Sequence, residues 1–200
     1  NGAGGFLPPT TTSLTMTELN VVDANEDGHL DIVGCSLSPG NNLVLLGNGD
    51  GTFTGTPASV PIGGQPFASA VADLNGDGHI DIAYACLNPD SLRWLFGDGA
   101  GNFTFGGAMV ADSWPTSIHL GDVDGDGDQD AVLSHYTGSS FYLYLNQGNG
   151  TFAAPLVFPS PGGASCATIA DFDRDGDLDI LGADEITDQM MEPILRDLPF

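Results

Sequence analysis

Positive charge is almost absent from this sequence. The 200 residues include no lysine and only three arginines, Arg93, Arg174 and Arg196, against 27 acidic residues, so the formal net charge is −24. Proteins that bind nucleic acid neutralise phosphates with clustered Lys and Arg, and this sequence has no such cluster. Nucleic acid and bare anionic membrane surfaces are therefore excluded as partners.

Long apolar runs and cysteines are also scarce. No run reaches the roughly 18 apolar residues that a membrane-spanning helix needs, so no membrane insertion is expected. The chain has no initiator Met and no signal-peptide pattern, and we expect a mature or excised segment. Its three cysteines, Cys35, Cys86 and Cys166, lie in apolar, strand-like stretches. They are interpreted as buried free thiols or, alternatively, as one disulfide and a leftover thiol.

Catalytic motifs are missing too. The sequence contains no GxSxG motif, no P-loop, no GxGxxG at a strand–helix junction and no zinc-type His/Cys cluster. His119 and His135 lie on predicted strands, where we expect them to be ordinary sheet residues. The sequence therefore predicts a protein that is not an enzyme.

The most informative feature that is present is a nine-residue loop that occurs four times. The copies are DANEDGHLD (Asp23–Asp31), DLNGDGHID (Asp73–Asp81), DVDGDGDQD (Asp122–Asp130) and DFDRDGDLD (Asp171–Asp179), and their first aspartates are 50, 49 and 49 residues apart. Each copy has oxygen-bearing side chains at positions 1, 3, 5 and 9 and a glycine at position 6. Calcium takes roughly six to eight oxygen ligands at about 2.3–2.6 Å, so the pattern predicts one calcium site per repeat.

Two other calcium motifs do not fit these loops. An EF-hand needs a bidentate Glu at position 12 between two helices, whereas position 12 is Gly34, Tyr84, Leu133 or Gly182 and the flanks are strand-like. A calcium β-roll repeats every nine residues, which the longer period excludes. The loops are therefore a distinct type of calcium motif.

A second motif has the same period. Gly-rich turns end at Phe53, Phe103 and Phe152, each 30 residues after the first aspartate of its repeat. Periods of this length with Gly-rich turns are typical of propellers and solenoids, and each period holds about four strand-like stretches, the content of one propeller blade. The predicted fold class is all-β, a β-propeller of four-stranded blades with calcium-binding loops. It is expected either as a closed four-blade ring or as part of a larger or assembled propeller.

The predicted domain covers residues 1–200, with repeats at approximately 7–53, 54–103, 104–152 and 153–200. Residues 1–6 are expected to complete the last blade or the blade of a neighbouring molecule. Residues 192–200 lack the Gly-rich turn and carry prolines, which disfavour a regular strand.

Loops of this form, with a Gly-rich turn and Phe at a period near 50, resemble the FG-GAP or VCBS-type repeats of integrin α-subunit propellers. The resemblance covers about residues 1–183, although propellers of that family commonly have more blades than the four supplied by this chain. It implies that the side chains at positions 1, 3, 5 and 9 and the backbone carbonyl at position 7 bind Ca²⁺. The implied ligands are Asp23, Asn25, Asp27, His29 and Asp31; Asp73, Asn75, Asp77, His79 and Asp81; Asp122, Asp124, Asp126, Asp128 and Asp130; and Asp171, Asp173, Asp175, Asp177 and Asp179.

The ligand sets differ in charge. Asn at position 3 leaves the first two loops with three carboxylates, against four in the last two, so we expect the third and fourth sites to fill first. Weak, exposed aspartate sites are used where calcium is millimolar, which predicts a secreted or cell-surface protein. The sequons at Asn102 and Asn149 allow glycosylation but also fall in turns where Asn is common.

Aromatic residues give the best indication of a ligand. Trp114, with Asp112 and Tyr136, forms a candidate ligand site, whereas Trp94 is expected between blades. The predicted function is a non-catalytic adhesion or recognition module for carbohydrate or extracellular protein. The alternative is a structural subunit of an extracellular filament or surface layer, self-associating by pairing of terminal strands between chains.

Overall fold

The computed structural model describes residues 16–38, 40–187 and 189–195. The part of the chain that it describes is all-β, with fifteen strands and no helix, and therefore no helix that could span a membrane. Residues 1–6 and 196–200, to which the sequence assigns roles in closing the ring or linking chains, lie outside the described residues.

The strands form four antiparallel sheets in chain order. Sheet 1 contains β1 (Glu18–Val22), β2 (Asp31–Ser36), β3 (Asn41–Gly47) and β4 (Phe53–Pro61). Sheet 2 contains β5 (Gln65–Ala72), β6 (Asp81–Leu87), β7 (Ser91–Gly97) and β8 (Phe103–Val110). Sheet 3 contains β9 (Pro115–Gly121), β10 (Asp130–His135), β11 (Ser140–Tyr144) and β12 (Leu156–Pro159). Sheet 4 contains β13 (Ala164–Ala170), β14 (Asp179–Asp184) and β15 (Gln189–Leu195).

Each sheet is a meander in which consecutive strands pair, for example Val33 of β2 opposite Val44 of β3. The strand that begins at or just after each periodic Phe pairs with the third strand of the same sheet, as β4 pairs with β3. The sheets therefore run from residue 18 to 61, 65 to 110, 115 to 159 and 164 to 195. Their boundaries lie in the connections between sheets, about eight residues beyond the Phe at which the sequence repeats were divided.

The antiparallel meander sorts the connections to two ends of the sheets. The aspartate loops and the Gly-rich turns share one end, which we call the loop end, since Gly47 N donates to the Asp31 carboxylate at 2.7 Å. The turn between the second and third strands of each sheet lies at the other end, together with the links between sheets. We call this the link end. For example, Ile62 N, in the link after β4, donates to Gly40 O, in the β2–β3 turn, at 3.0 Å. All four aspartate loops consequently lie at the same end of their sheets.

Apolar side chains fill the space between consecutive sheets. Between sheets 2 and 3 the buried Trp94 packs edge-on against Phe152, with ring centroids 5.0 Å apart, so its predicted place between blades is confirmed. Gly107 lies flat against this indole, where an added Cβ would collide with the ring. Burial of such aromatic surface is a main source of stability in small β domains.

The cysteines are free thiols in the structure. Cys35 and Cys86 are buried between sheets 1 and 2, whereas Cys166 on β13 is exposed. The expectation that all three thiols are buried is therefore wrong for Cys166, because the face of sheet 4 on which it lies has no following sheet among the described residues.

The first strands of the sheets line a common axis. β1 packs against β5, β5 against β9, and β9 against β13, and no comparable contact joins β13 back to β1 in the described residues. This is a propeller-like arrangement of sheets.

Candidate metal loops and ligand cleft

The four aspartate loops share one backbone conformation. The position-1 carboxylate accepts a hydrogen bond from the position-6 glycine N, at 2.9, 2.8, 3.0 and 3.3 Å in loops one to four. The position-5 carboxylate accepts one from the position-7 N, at 2.9 to 3.0 Å in all four loops. The position-6 glycines have φ between +86° and +105°, a region that other residues rarely adopt. Glycine is therefore required at position 6 for the chain to fold back over its own carboxylates.

Position 9 anchors each loop to the sheet. Asp81 is buried at the start of β6 and accepts hydrogen bonds from Leu74 N at 2.9 Å and Gly97 N at 2.8 Å. The position-9 residues of loops one and three, Asp31 and Asp130, accept the equivalent pairs of bonds. This aspartate thus joins the loop to the end of the third strand, a structural role in addition to its predicted role as a ligand.

The electrostatics of the loops favour a cation. Burial, with a smaller contribution from nearby loop aspartates, raises the pKa of Asp81 and Asp130 to about 6. Burial also raises the pKa of Asp124, with Asp126 as the next cause. Clustered carboxylates with raised pKa values are stabilised when a positive ion lies among them.

In two loops the oxygens lie close enough together to share one metal ion. Two ligand atoms that each lie about 2.4 Å from one ion are at most about 4.8 Å apart. One oxygen from each of Asp122, Asp124 and Asp130 meets this limit, as does one from each of Asp171, Asp173 and Asp175. The donor set consists only of oxygens, which suits a hard divalent cation. Acidic clusters are thus present in the third and fourth loops.

Neighbouring loops also contact one another. His79 Nδ1 of loop two lies 2.5 Å from Glu26 Oε1 of loop one, and this hydrogen bond raises the pKa of His79. Gly101 N donates to Ala24 O, and Asn146 Nδ2 donates to Leu74 O, so the Gly-rich turns of sheets 2 and 3 each touch the loop of the preceding sheet. Sequence reasoning missed Glu26, because its partner is 53 residues away and becomes a neighbour only when sheets 1 and 2 stack.

The candidate ligand residue Trp114 lies at the link end, opposite the aspartate loops. It is 51% exposed and has φ of +60°, in the left-handed region. The Trp114 backbone N donates to Asp90 Oδ1 at 3.3 Å. Asp90 lies in the turn between β6 and β7 of the preceding sheet. A cleft of about 510 Å³ lies along the axis. A separate cleft of about 270 Å³ lies at Trp114 and is lined by Leu87, Asn88, Asp90, Ser113, Trp114 and Thr137.

The other two residues of the predicted ligand trio lie outside this cleft. Asp112 accepts hydrogen bonds from Ser113 N at 2.7 Å and Ser140 Oγ at 2.8 Å. Tyr136 N donates a backbone hydrogen bond to Trp114 O at 3.0 Å, but the Tyr136 side chain does not line the cleft. The polar residues that line the cleft with Trp114 include Asn88, Asp90 and Thr137. These residues come from two sheets, and only the stacking of sheets 2 and 3 brings them together.

The histidines are sheet or loop residues. His119 lies on β9 beside the axial cleft, and burial lowers its pKa. His135 is fully buried on β10, with Nδ1 3.2 Å from Ser140 O, and burial lowers its pKa to about 4. His29 is exposed.

The chain matches one protein family. The family model described as FG-GAP-like repeat matches residues 23–84, 73–133 and 122–182. Each match spans two consecutive aspartate loops, so that the three matches include all four loops. No curated protein is significantly similar to this chain.

Several solved structures have similar folds. An Agrocybe aegerita lectin, solved for its specific recognition of non-reducing terminal N-acetylglucosamine, is 28% identical with a TM-score of 0.53, over 81% of this chain and 45% of the lectin chain. BBS1N, crystallised with ARL6DN and soaked with lead, is 10% identical with a TM-score of 0.60, over 90% and 56% of the two chains, a likeness of fold alone. The V. cholerae biofilm matrix protein Bap1 is 20% identical with a TM-score of 0.48, over 90% and 30%. The chain spans about half the length of the first two proteins.

Proposed function

This chain belongs to the FG-GAP-like repeat family, and on that premise we propose that it is a calcium-stabilised, non-catalytic recognition module. The observation that carries the proposal is the set of four equivalent acidic loops at one end of the sheets, with a separate cleft at the other. In this arrangement the loops hold the sheets in place and the link end presents the ligand site.

The calcium ligands that we propose are the side chains at positions 1, 3, 5 and 9 and the carbonyl at position 7 of each loop. A bound calcium ion supplies positive charge that neutralises the clustered carboxylates. The chain's own contribution is preorganisation, because backbone amides already orient the carboxylates at positions 1, 5 and 9. Four filled sites would reduce the net charge from −24 to about −16. We propose an extracellular location, where millimolar calcium would fill such sites.

Thermal unfolding with and without calcium tests this role. A site with a Kd one hundredfold below the free calcium concentration stabilises the fold by roughly 2.7 kcal/mol. We therefore expect excess EDTA to lower the melting temperature sharply, and Asp77→Asn to remove part of the calcium-dependent shift. Asp98→Asn, which removes an exposed carboxylate of a Gly-rich turn, is the control and should retain the full shift. An unchanged melting curve in EDTA would contradict the proposal.

The ligand that we propose is a carbohydrate bound in the Trp114 cleft. A half-exposed indole offers an apolar face for a sugar ring, and the cleft surrounds it with a carboxylate, an amide and hydroxyls that can hydrogen-bond to sugar hydroxyls. The left-handed backbone of Trp114 supports this role, since such strain is concentrated at functional sites. Similarity to a lectin that recognises N-acetylglucosamine suggests that sugar as the first to test.

Calorimetric titration with N-acetylglucosamine, followed by a panel of other glycans, tests the cleft. We expect Trp114→Ala to weaken binding by at least tenfold and to leave calcium binding unchanged. Phe105→Ala is the matched control, because Phe105 is 53% exposed but lies elsewhere, on β8. Glycan binding that survives Trp114→Ala would exclude this cleft, and no binding to any glycan would favour a protein ligand.

A further inference from the structure

The junctions between consecutive sheets follow one pattern. Residues ten and twelve positions after the first aspartate of a loop face the next sheet, and we call their side of the sheet the front face. These residues are Val33 and Cys35, Ala83 and Ala85, and Val132 and Ser134 in sheets 1 to 3, and all are at most 1% exposed. In sheet 4 the equivalent residues are Leu181 and Ala183, and both are partly exposed. Among the described residues, the front face of sheet 4 therefore lacks the cover that the other three have.

The opposite side of each sheet, which we call the back face, faces the preceding sheet. Four positions before the loop, sheets 2 to 4 carry Ser69, Ile118 and Ala167 on this face, exposed by only 6%, 5% and 1%. The equivalent residue of sheet 1, Leu19, is 52% exposed, and Val21 beside it is 57% exposed. Along β1 the back face of sheet 1 is thus apolar, and no described sheet covers it.

The inner strands show which residues meet at a junction. At the junction of sheets 1 and 2, Ser69 N donates to Glu18 Oε2 at 2.8 Å. At the junction of sheets 3 and 4, Ala167 N donates to Ser117 Oγ at 3.3 Å. In both cases the residue five positions before one loop meets the residue four positions before the next. At the two uncovered faces, these positions are occupied by Cys166 and Leu19.

We propose that the occupant of the uncovered faces is a second copy of this chain. The front face of sheet 4 packs on the back face of sheet 1 of the other copy, in the same way as the three junctions within the chain. Because each copy carries one face of each kind, two such contacts related by a two-fold axis close a ring of eight sheets. The two solved chains of which this chain covers 45% and 56% are about 1.8 and 1.6 times its length, so similar chains are longer than one copy.

The first experiment measures the mass of the particle by light scattering and native mass spectrometry, in millimolar calcium. We expect a particle of two chains for the wild type. Val21→Glu places a charge on the back face of sheet 1, and we expect it to weaken dimerisation by at least tenfold. Val157→Glu is the matched control, because Val157 is 53% exposed but lies on the outer strand β12, and it should remain dimeric.

The second experiment tests the register of the contact. Leu19→Cys should form a disulfide with Cys166 of the other copy when oxidised glutathione is supplied, giving a two-chain band that reduction removes and that Cys166→Ser abolishes. Val157→Cys should not form it. A wild-type monomer at about 100 µM, a ladder of three or more chains, or a Leu19→Cys variant without the cross-link would each overturn the proposal.

Discussion

The position-9 aspartate of each loop should stabilise the fold even without metal, and Asp81→Ala tests this most sharply. Asp81 is buried, and its carboxylate accepts hydrogen bonds from the buried Leu74 N and the partly buried Gly97 N. Removing the carboxylate leaves two amides without acceptors, and each such loss costs about 1–3 kcal/mol. Removing a buried charge offsets part of this cost, since burial already raises the pKa of Asp81 to about 6. We expect a net loss of about 2–4 kcal/mol at pH 7.5 in excess EDTA.

The comparison is with Asp77→Ala in the same loop. Asp77 is exposed, and its bonds to His79 N and Asn75 Nδ2 are solvated, so its removal in EDTA should cost less than about 1 kcal/mol. In calcium, both variants lose a ligand of the second site, and both should bind one ion fewer.

Urea unfolding followed by tryptophan fluorescence measures the difference, because Trp94 is buried in the core. With a urea dependence of about 2 kcal/mol/M, the expected loss for Asp81→Ala lowers the midpoint by about 1–2 M. Equal midpoints for the two variants in EDTA would refute the anchoring role of position 9.

Three further predictions concern the loops, a buried histidine and the core. In a calcium titration by native mass spectrometry, the third and fourth sites should fill before the first two, and Asp124→Asn should remove that preference for the third site; an order that begins with the first site would contradict the charge argument. Burial lowers the folded-state pKa of His135 to about 4. The neutral His135 side chain therefore contributes to stability above its ordinary pKa of 6.5, and this contribution is lost as the pH falls from 6.5 towards 4. Relative to His135→Phe, the wild type should lose about 2 kcal/mol of unfolding free energy between pH 6.5 and 5, and a pH-independent difference would be contrary to this. Gly107→Ala should destabilise the fold by about 1–3 kcal/mol, because the added methyl group collides with Trp94, and an unchanged urea midpoint would show that the ring can move aside.

Most of the fold could be predicted from local sequence patterns. The Gly at position 6 and the periodic Phe residues predict strands, loops and turns that recur at one spacing, and the structure has four antiparallel sheets in that order. Trp94 lies between two sheets and His119 lies on a strand, as the pattern predicts, because strand position determines which side chains face a neighbouring sheet.

The ligand cleft depended on information that no single repeat contains. Asp90 and Trp114 belong to different sheets and meet because sheets 2 and 3 stack, so a motif within one connection, such as Asp112 with Trp114, could not identify the partner. The exposure of Cys166 has a similar origin, since a thiol in an apolar strand is buried only where another sheet covers it. Sequence spacing predicts the repeating unit, whereas contacts between units depend on which units follow one another in space.

The most direct test of the central claim is the number of calcium ions bound to the folded chain. The protein would be freed of metal with EDTA, exchanged into millimolar calcium, and analysed by native mass spectrometry alongside a magnesium control. The four equivalent acidic loops predict four calcium ions per chain, and their loss should be accompanied by a lower melting temperature. A folded chain that binds no calcium under these conditions would contradict the account.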